Sequence, residues 1–189
     1  MEPLQENLPE QIKPNNKKTI RNLIIWILII VVVSLSAYFF ARNFIVRWPI
    51  AGESMEPTIS DKDVVLLFST KNTDYDDIIV FRLEDEEKYL IKRVIGKEGD
   101  VISSKKDKNG YFHLYRNDNL LDESYIKNSM LSTGGYTEFT MTVPEGTLFV
   151  LGDNRNNSSD SHLGLMAKVS LVEGVAFARI SSSGRFTFL

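Results

Sequence analysis

From residue 23 to residue 41 the chain carries nineteen residues without a charge, and Ser34 and Ser36 are the only aliphatic hydroxyls among them. At 1.5 Å per residue a helix of this length spans about 28 Å, close to the hydrocarbon thickness of a bilayer. A buried core helix would be shorter or show a polar face. A signal-peptide core of ~7–15 residues would end in a small-x-small cleavage site. Ser34-Leu35-Ser36 resembles such a site, but apolar residues continue past it to Ala41. The run reads as one uncleaved transmembrane helix.

Beyond it the hydrophobic positions come in short runs. Residues 63–68, 77–81, 89–95, 147–151 and 175–180 are rich in Val, Ile and Phe and bounded by Gly, Asp, Asn or Pro. Such runs predict strands, and no later stretch keeps a helical period over ten residues, so the fold class is mainly β. Residues 101–146 differ in character. The polar stretch 103–110 joins two strand-like runs as a hairpin, and Asn117-Asp118-Asn119, Gly134-Gly135 and Pro144-Glu145-Gly146 add turns. The expected organisation is a tail (1–22), the span (23–41) and a globular region (42–189). Within that region a core (46–100 and 147–189) carries a small β insert (101–146) projecting from it.

The flanks of the span set its orientation. Lys13, Lys17, Lys18 and Arg21 precede it, and Arg42 and Arg47 follow. The bias places the tail in the cytoplasm and residues 42–189 outside. Phe39, Phe40, Phe44 and Trp48 would sit at the far interface. The tail, with Pro3, Pro9, Pro14 and Asn15-Asn16, reads as disordered.

Composition removes several kinds of chemistry. Net charge is −3 with the signs interspersed, so nothing points to nucleic acid. There is no cysteine, hence no disulfide, thiol nucleophile or thiolate metal site. His113 and His162 are the only histidines and are not paired, which argues against zinc.

Three segments could carry chemistry. Ser54 lies thirteen residues past Ala41, between Gly52-Glu53 and Pro57-Thr58. A serine near Gly and Pro is more often a plain turn residue. A sharp bend here could also expose the hydroxyl and leave N–H groups free for an oxyanion. Lys92 is the larger anomaly, since Leu90, Ile91, Val94 and Ile95 surround it. Alternation puts Leu90, Lys92 and Val94 on one face and Ile91, Arg93 and Ile95 on the other. The bland reading is a lysine snorkelling from an edge strand. The functional reading is a desolvated amine. At an ordinary pKa of about 10.4 a lysine is neutral at pH 7 to only ~0.04%. A pKa near 7 needs a shift of about 3.4 units, or roughly 4.6 kcal/mol, and burial supplies ~3–5 units. A neutral Lys92 could then take the Ser54 proton.

The third segment, Gly152-Asp153-Asn154-Arg155 on to Ser158, Ser159, Asp160 and Ser161, leaves an apolar strand directly. It is either an Asx-rich turn or a fixed hydrogen-bonded loop. Asp153 and Asp160 read as scaffolding, with Ser158 able to orient the lysine amine. A Ser…Asp…His order also exists through Asp160 and His162. In an extended segment Asp160 is expected to be poorly placed to orient His162, so lysine is the preferred base.

Together these segments resemble bacterial type I signal peptidases of the Gram-positive form, membrane-bound Ser/Lys proteases. The motifs are Ser54-Met55-Glu56-Pro57-Thr58, then Lys92-Arg93-Val94-Ile95-Gly96 with Gly99-Asp100, then Gly152-Asp153-Asn154-Arg155 with Ser158-Ser159-Asp160-Ser161. The resemblance implies a signal-peptidase/LexA-like β core behind one transmembrane helix, and a serine endopeptidase that removes signal peptides without metal or cofactor. Ser54 would be the nucleophile and Lys92 the general base. Ser158 would orient Lys92, while Asp153, Arg155 and Asp160 hold the loop. Ile50, Ala51, Met55, Leu90 and Ile91 match positions lining shallow pockets for small side chains at P1 and P3. The partners implied are secretory preproteins and the lipid bilayer, with the enzyme a monomer. The chain departs from the pattern at Gly52, where some members have a serine hydroxyl donor. It departs again after Asp160-Ser161, where His162 stands in place of an arginine and the loop is one residue shorter. A self-cleaving repressor of similar fold and a catalytically silent, membrane-anchored assembly factor are the competing readings.

Overall fold

The computed structural model describes residues 16–84 and 87–189, and the chain divides into two compact units after Arg42. The first fifteen residues of the expected tail lie outside the described residues. The helix α1 runs Asn16–Phe44, beyond the expected span at both ends. Lysine and arginine propagate a helix well, so the ladder started by the apolar run continues through Lys17, Lys18 and Arg21, correcting the disordered reading of residues 16–22. Its apolar side chains are exposed in the protein, and it is long and apolar enough to cross a membrane.

The second unit is built of two antiparallel sheets. The larger contains β1 (Ile45–Pro49), β2 (Val64–Phe68), β3 (Ile78–Arg82) and β4 (Tyr89–Lys97). It continues with β9 (Thr147–Leu151), β10 (Ala167–Lys168), β11 (Val172–Ile180) and β12 (Phe186–Phe188). The order is β1-β2-β11-β3-β4-β9-β10, with β12 paired to β11. The smaller sheet, β7-β6-β5-β8, comprises β5 (Val101–Lys106), β6 (Phe112–Arg116), β7 (Asn119–Leu120) and β8 (Phe139–Thr142). Asn117 and Asp118 both take positive φ in the turn between β6 and β7, a conformation these residue types tolerate.

The central strands are apolar on both faces because both faces are covered. Along β3, Ile78 and Val80 join a cluster with Ile50, Met55, Ile59 and Ile91. Ile79 and Phe81 point the other way, into a cluster with Val94, Leu148 and Val150. A third cluster joins Ile95, Phe149 and Leu151 of the large sheet to Ile102, Phe112 and Leu114 of the small one. The insert is therefore packed onto the core rather than projecting free of it. Gly96 permits this, since a Cβ there would lie 2.8 Å from Ile102 Cδ1. Each such fully buried side chain contributes about 1.5–3 kcal/mol.

One detail of register opens the site. β4 pairs with β3 along Tyr89 to Arg93, but with β9 only from Arg93 to Lys97. Residues 89–92 therefore have a strand on one side only, and β9 ends where Gly152 turns away.

Candidate active site

Ser54 stands at the start of a tight turn in which Glu56 N–H donates to Glu53 O (3.1 Å) and Ile59 N–H to Met55 O (2.9 Å). Burial of Met55 and Ile59 anchors the turn in the core. The Ser54 carbonyl accepts from Asn154 N–H at 3.0 Å, and the Asn154 amide donates to Glu53 O at 3.0 Å. Two loops far apart in the chain are thereby held side by side. Gly152 is obligatory at this contact, because a Cβ would collide with the Ser158 hydroxyl and the Ser54 carbonyl.

Lys92 enters from the unpaired half of β4. Its Nζ lies 2.7 Å from Ser54 Oγ and 2.8 Å from the Ile91 carbonyl, to which it donates. The residue is 2% exposed. Burial lowers its pKa from 10.5 to about 8, although the Asp160 and Asp153 carboxylates pull it upward. Among the described residues the Ser54 N–H has no hydrogen-bond partner, whereas the Gly52 N–H is taken by Asp61 Oδ1 at 2.9 Å.

Behind the pair is a buried ionic scaffold. Asp153 forms a two-pronged pair with Arg93, Nε to Oδ1 at 2.9 Å and Nη2 to Oδ2 at 2.6 Å, and also accepts from the Thr58 hydroxyl. Burial works to lower the Arg93 pKa, but Asp153, together with Tyr125 and Asp76, outweighs it and the net direction is upward. Arg155 is buried as well. It donates to Gly152 O (3.0 Å) and pairs with Glu123 of the insert at 2.5 Å. Here too burial disfavours the charge, and the Glu123 carboxylate, with Tyr136 and Tyr125, overcomes it.

Asp160 accepts from Gly152 N–H (2.9 Å) and the Ser158 hydroxyl (2.5 Å), and lies 2.6 Å from His162 Nδ1. The expectation that Asp160 could not orient His162 is thus overturned. Residues 161–163 form a 3-10 turn capped by Asp160. Even in an extended segment, positions i and i+2 share a face. His162 also stands where the resemblance leads one to expect arginine, and it faces the same aspartate. Its second nitrogen meets Gly134 O at 3.0 Å, so neither nitrogen is directed at Ser54. Ser158 is bonded to Asp160, and the hydrogen bonds of Lys92 go elsewhere, to Ser54 and Ile91.

A cleft of about 540 Å³ opens over Ser54 and Lys92, bordered by Ala51 and Leu90 and by Thr133 to Gly135 of the insert. A smaller hollow of about 150 Å³ adjoins it, lined by Trp48, Ile50, Ala51, Tyr89, Leu90 and Ile91. Of the five residues expected to line substrate pockets, Met55 lines neither space. At 1% exposure it packs in the core with Ile50 and Ile91.

Residues 21–180 match the family model for signal peptidases, peptidase S26. The chain belongs to the signal peptidase family. It is 33% identical over 177 residues to signal peptidase I of Streptococcus pneumoniae, covering 74% of this chain and 82% of that protein. Signal peptidase I U of Bacillus subtilis is also 33% identical, over 150 residues, with coverages of 74% and 78%. Signal peptidase IB of Staphylococcus aureus is 31% identical over 176 residues, with coverages of 83% and 89%. Among solved structures, a signal peptidase I from Enterococcus faecalis is 33% identical, with a TM-score of 0.45 over 57% of this chain and 98% of its own.

Three members of this signal peptidase's site were not singled out in the sequence. Arg93 was legible as a second basic residue in an apolar strand. Thr58 carried only its place in the Ser54 segment. Glu123 gave no signal at all, because its partner lies 32 positions away and pairing at that range leaves no local pattern.

Proposed function

We propose that the protein is a membrane-anchored serine endopeptidase that removes N-terminal signal peptides from secretory preproteins, with Ser54 as nucleophile and Lys92 as general base. The observation that carries this is the 2.7 Å approach of a buried Lys92 amine to the Ser54 hydroxyl. With a pKa of about 8, roughly a tenth of Lys92 is neutral at pH 7. The neutral amine takes the proton from Ser54 Oγ as Oγ attacks the scissile carbonyl. The Ser54 N–H, without a partner among the described residues, is the donor available to the oxyanion, and Gly52 has neither a hydroxyl nor a free N–H to add. Lys92 passes its proton to the leaving amine, which departs as the new N-terminus of the mature chain. Water, deprotonated by the same lysine, then hydrolyses the ester at Ser54 and releases the signal peptide.

The free edge of β4 at residues 89–92 accepts the segment before the cleavage site as an added strand. Ala51, Leu90, Ile50 and Ile91 border the adjoining hollow, whose small volume favours Ala-sized side chains at P1 and P3. Asp153, Arg155, Asp160 and Ser158 hold the loop, with Ser158 acting on Lys92 through Asp160. α1 is the anchor, with its N-terminus cytoplasmic, the catalytic region outside, and the enzyme a monomer in the bilayer. The test is cleavage of a preprotein with an Ala-x-Ala site by the full chain in detergent. Ser54→Ala and Lys92→Ala should each abolish it. Substantial activity left in Lys92→Ala would sink the dyad.

A further inference from the structure

His162 has no part in the chemistry above, yet its side chain is 1% exposed and both ring nitrogens are engaged. Nε2 lies 3.0 Å from the Gly134 carbonyl oxygen, which can only accept, so Nε2 carries a proton. Nδ1 lies 2.6 Å from Asp160 Oδ1. That carboxylate already accepts from the Gly152 N–H, the Ser158 hydroxyl and the His162 N–H, which is the pattern of an ionised group. A ring between two acceptors is fully satisfied only as the doubly protonated imidazolium. Tyr136 stacks on it at 4.3 Å with planes 5° apart. Among the described residues, Arg155 and Glu123 act on the Tyr136 it stacks against, and Lys92 feels the Asp160 it contacts.

Gly134 closes the short 3-10 turn Ser132–Gly134, and Thr133, Gly134 and Gly135 line the cleft with Ser54 and Lys92. Asn156 holds the near side of this turn, accepting from Leu131 N–H and donating to Ser129 O, both at 2.9 Å. His162 holds the far side.

We propose that His162 is a positioning residue that, as a buried imidazolium, ties Asp160 to the Gly134 carbonyl and fixes the insert turn as a wall of the substrate cleft. Only the kinetic consequence rests on the proposed function; the protonation and the turn-holding stand apart from it. With two histidines in the chain, nitrogen-15 NMR of histidine-labelled full-length protein in micelles resolves His162, assigned by its loss in His162→Phe. At pH 7 both ring nitrogens should resonate as protonated; a neutral tautomer overturns the proposal. His162→Phe keeps the stack on Tyr136 and removes both donors. Amides of Gly134 and Gly135, bonded within the turn to Leu131 and Ser132, should then exchange about tenfold faster, the effect of losing one hydrogen bond. Unchanged exchange there also overturns it. Should His162→Phe not fold, His162→Leu, which also removes both donors, carries the same measurement. In the preprotein assay KM should rise severalfold with kcat nearly kept, whereas a fall in kcat at constant KM refutes a role in shaping the wall. If wild type cleaves no preprotein, the functional reading fails while the NMR and exchange results still decide His162.

Discussion

The sharpest consequence of the site is its dependence on pH. If catalysis needs neutral Lys92, kcat/KM follows the neutral fraction of a group with pKa about 8 rather than 10.5. That fraction is about one half at pH 8, a tenth at pH 7 and a hundredth at pH 6. Lowering the pH from 8 to 6 should therefore cut kcat/KM about fiftyfold, while raising it past 8 gains at most about twofold. Without burial, the neutral fraction at pH 7 would be about 300-fold smaller. The assay is cleavage of an internally quenched Ala-x-Ala peptide by the full chain in micelles from pH 5.5 to 10. Asp160→Asn adds a second handle. It removes a charge that raises the Lys92 pKa, so the midpoint should move to lower pH whatever the absolute rate. A limb centred near 10.5, or no limb between pH 6 and 9, would refute the reasoning.

The same burial sets a stability signature. The folded-state pKa of Lys92 lies below its unfolded value, so between about pH 8 and 10.5 the unfolded chain holds the extra proton. Stability therefore rises with pH across that window, and below pH 8 the full penalty is present, about 3 kcal/mol. Lys92→Met should be inactive yet more stable than wild type at pH 7, measured by denaturant titration.

Other outcomes follow from the scaffold. Glu123→Ala leaves the buried Arg155 guanidinium without its carboxylate and should destabilise the protein by about 3–5 kcal/mol, read from its denaturant midpoint. Gly152→Ala should push the Ser54 and Asn154 backbones apart, and preprotein cleavage should fall at least tenfold even in protein that remains folded by circular dichroism. Leu90→Trp should fill the hollow beside β4 and raise KM for Ala-x-Ala substrates, with little change in the melting temperature because Leu90 is only half-buried.

Much of this was legible before the fold. The apolar run announced α1 because length and absence of charge are local properties. The five expected strands lie in β2, β3, β4, β9 and β11 because each alternates or runs apolar over a few residues. β1, β10 and β12 gave little warning. Two of them hold only two or three residues, and β1, which carries Arg47 and Pro49, is an end strand of the sheet among the described residues. Lys92 could be named from its neighbours, since a charged residue in an apolar strand is a local contradiction. His162 differs from expectation because positions i and i+2 share a face even in an extended segment, and Asp160 further caps this one into a turn.

Sequence alone determined what is written in short windows: the long apolar helix, the β-rich pattern, and the identity of Ser54, Lys92 and the polar loop after β9. The tertiary structure decided what those residues meet. Only folding brings Ser54 and Lys92 to 2.7 Å across 38 positions, leaves one edge of β4 unpaired, and sets Glu123 of the insert against Arg155. The reason is physical. Periodicity and turn chemistry act over a few residues, whereas the desolvation that lowers the Lys92 pKa is a property of everything packed around it. No local pattern encodes that environment.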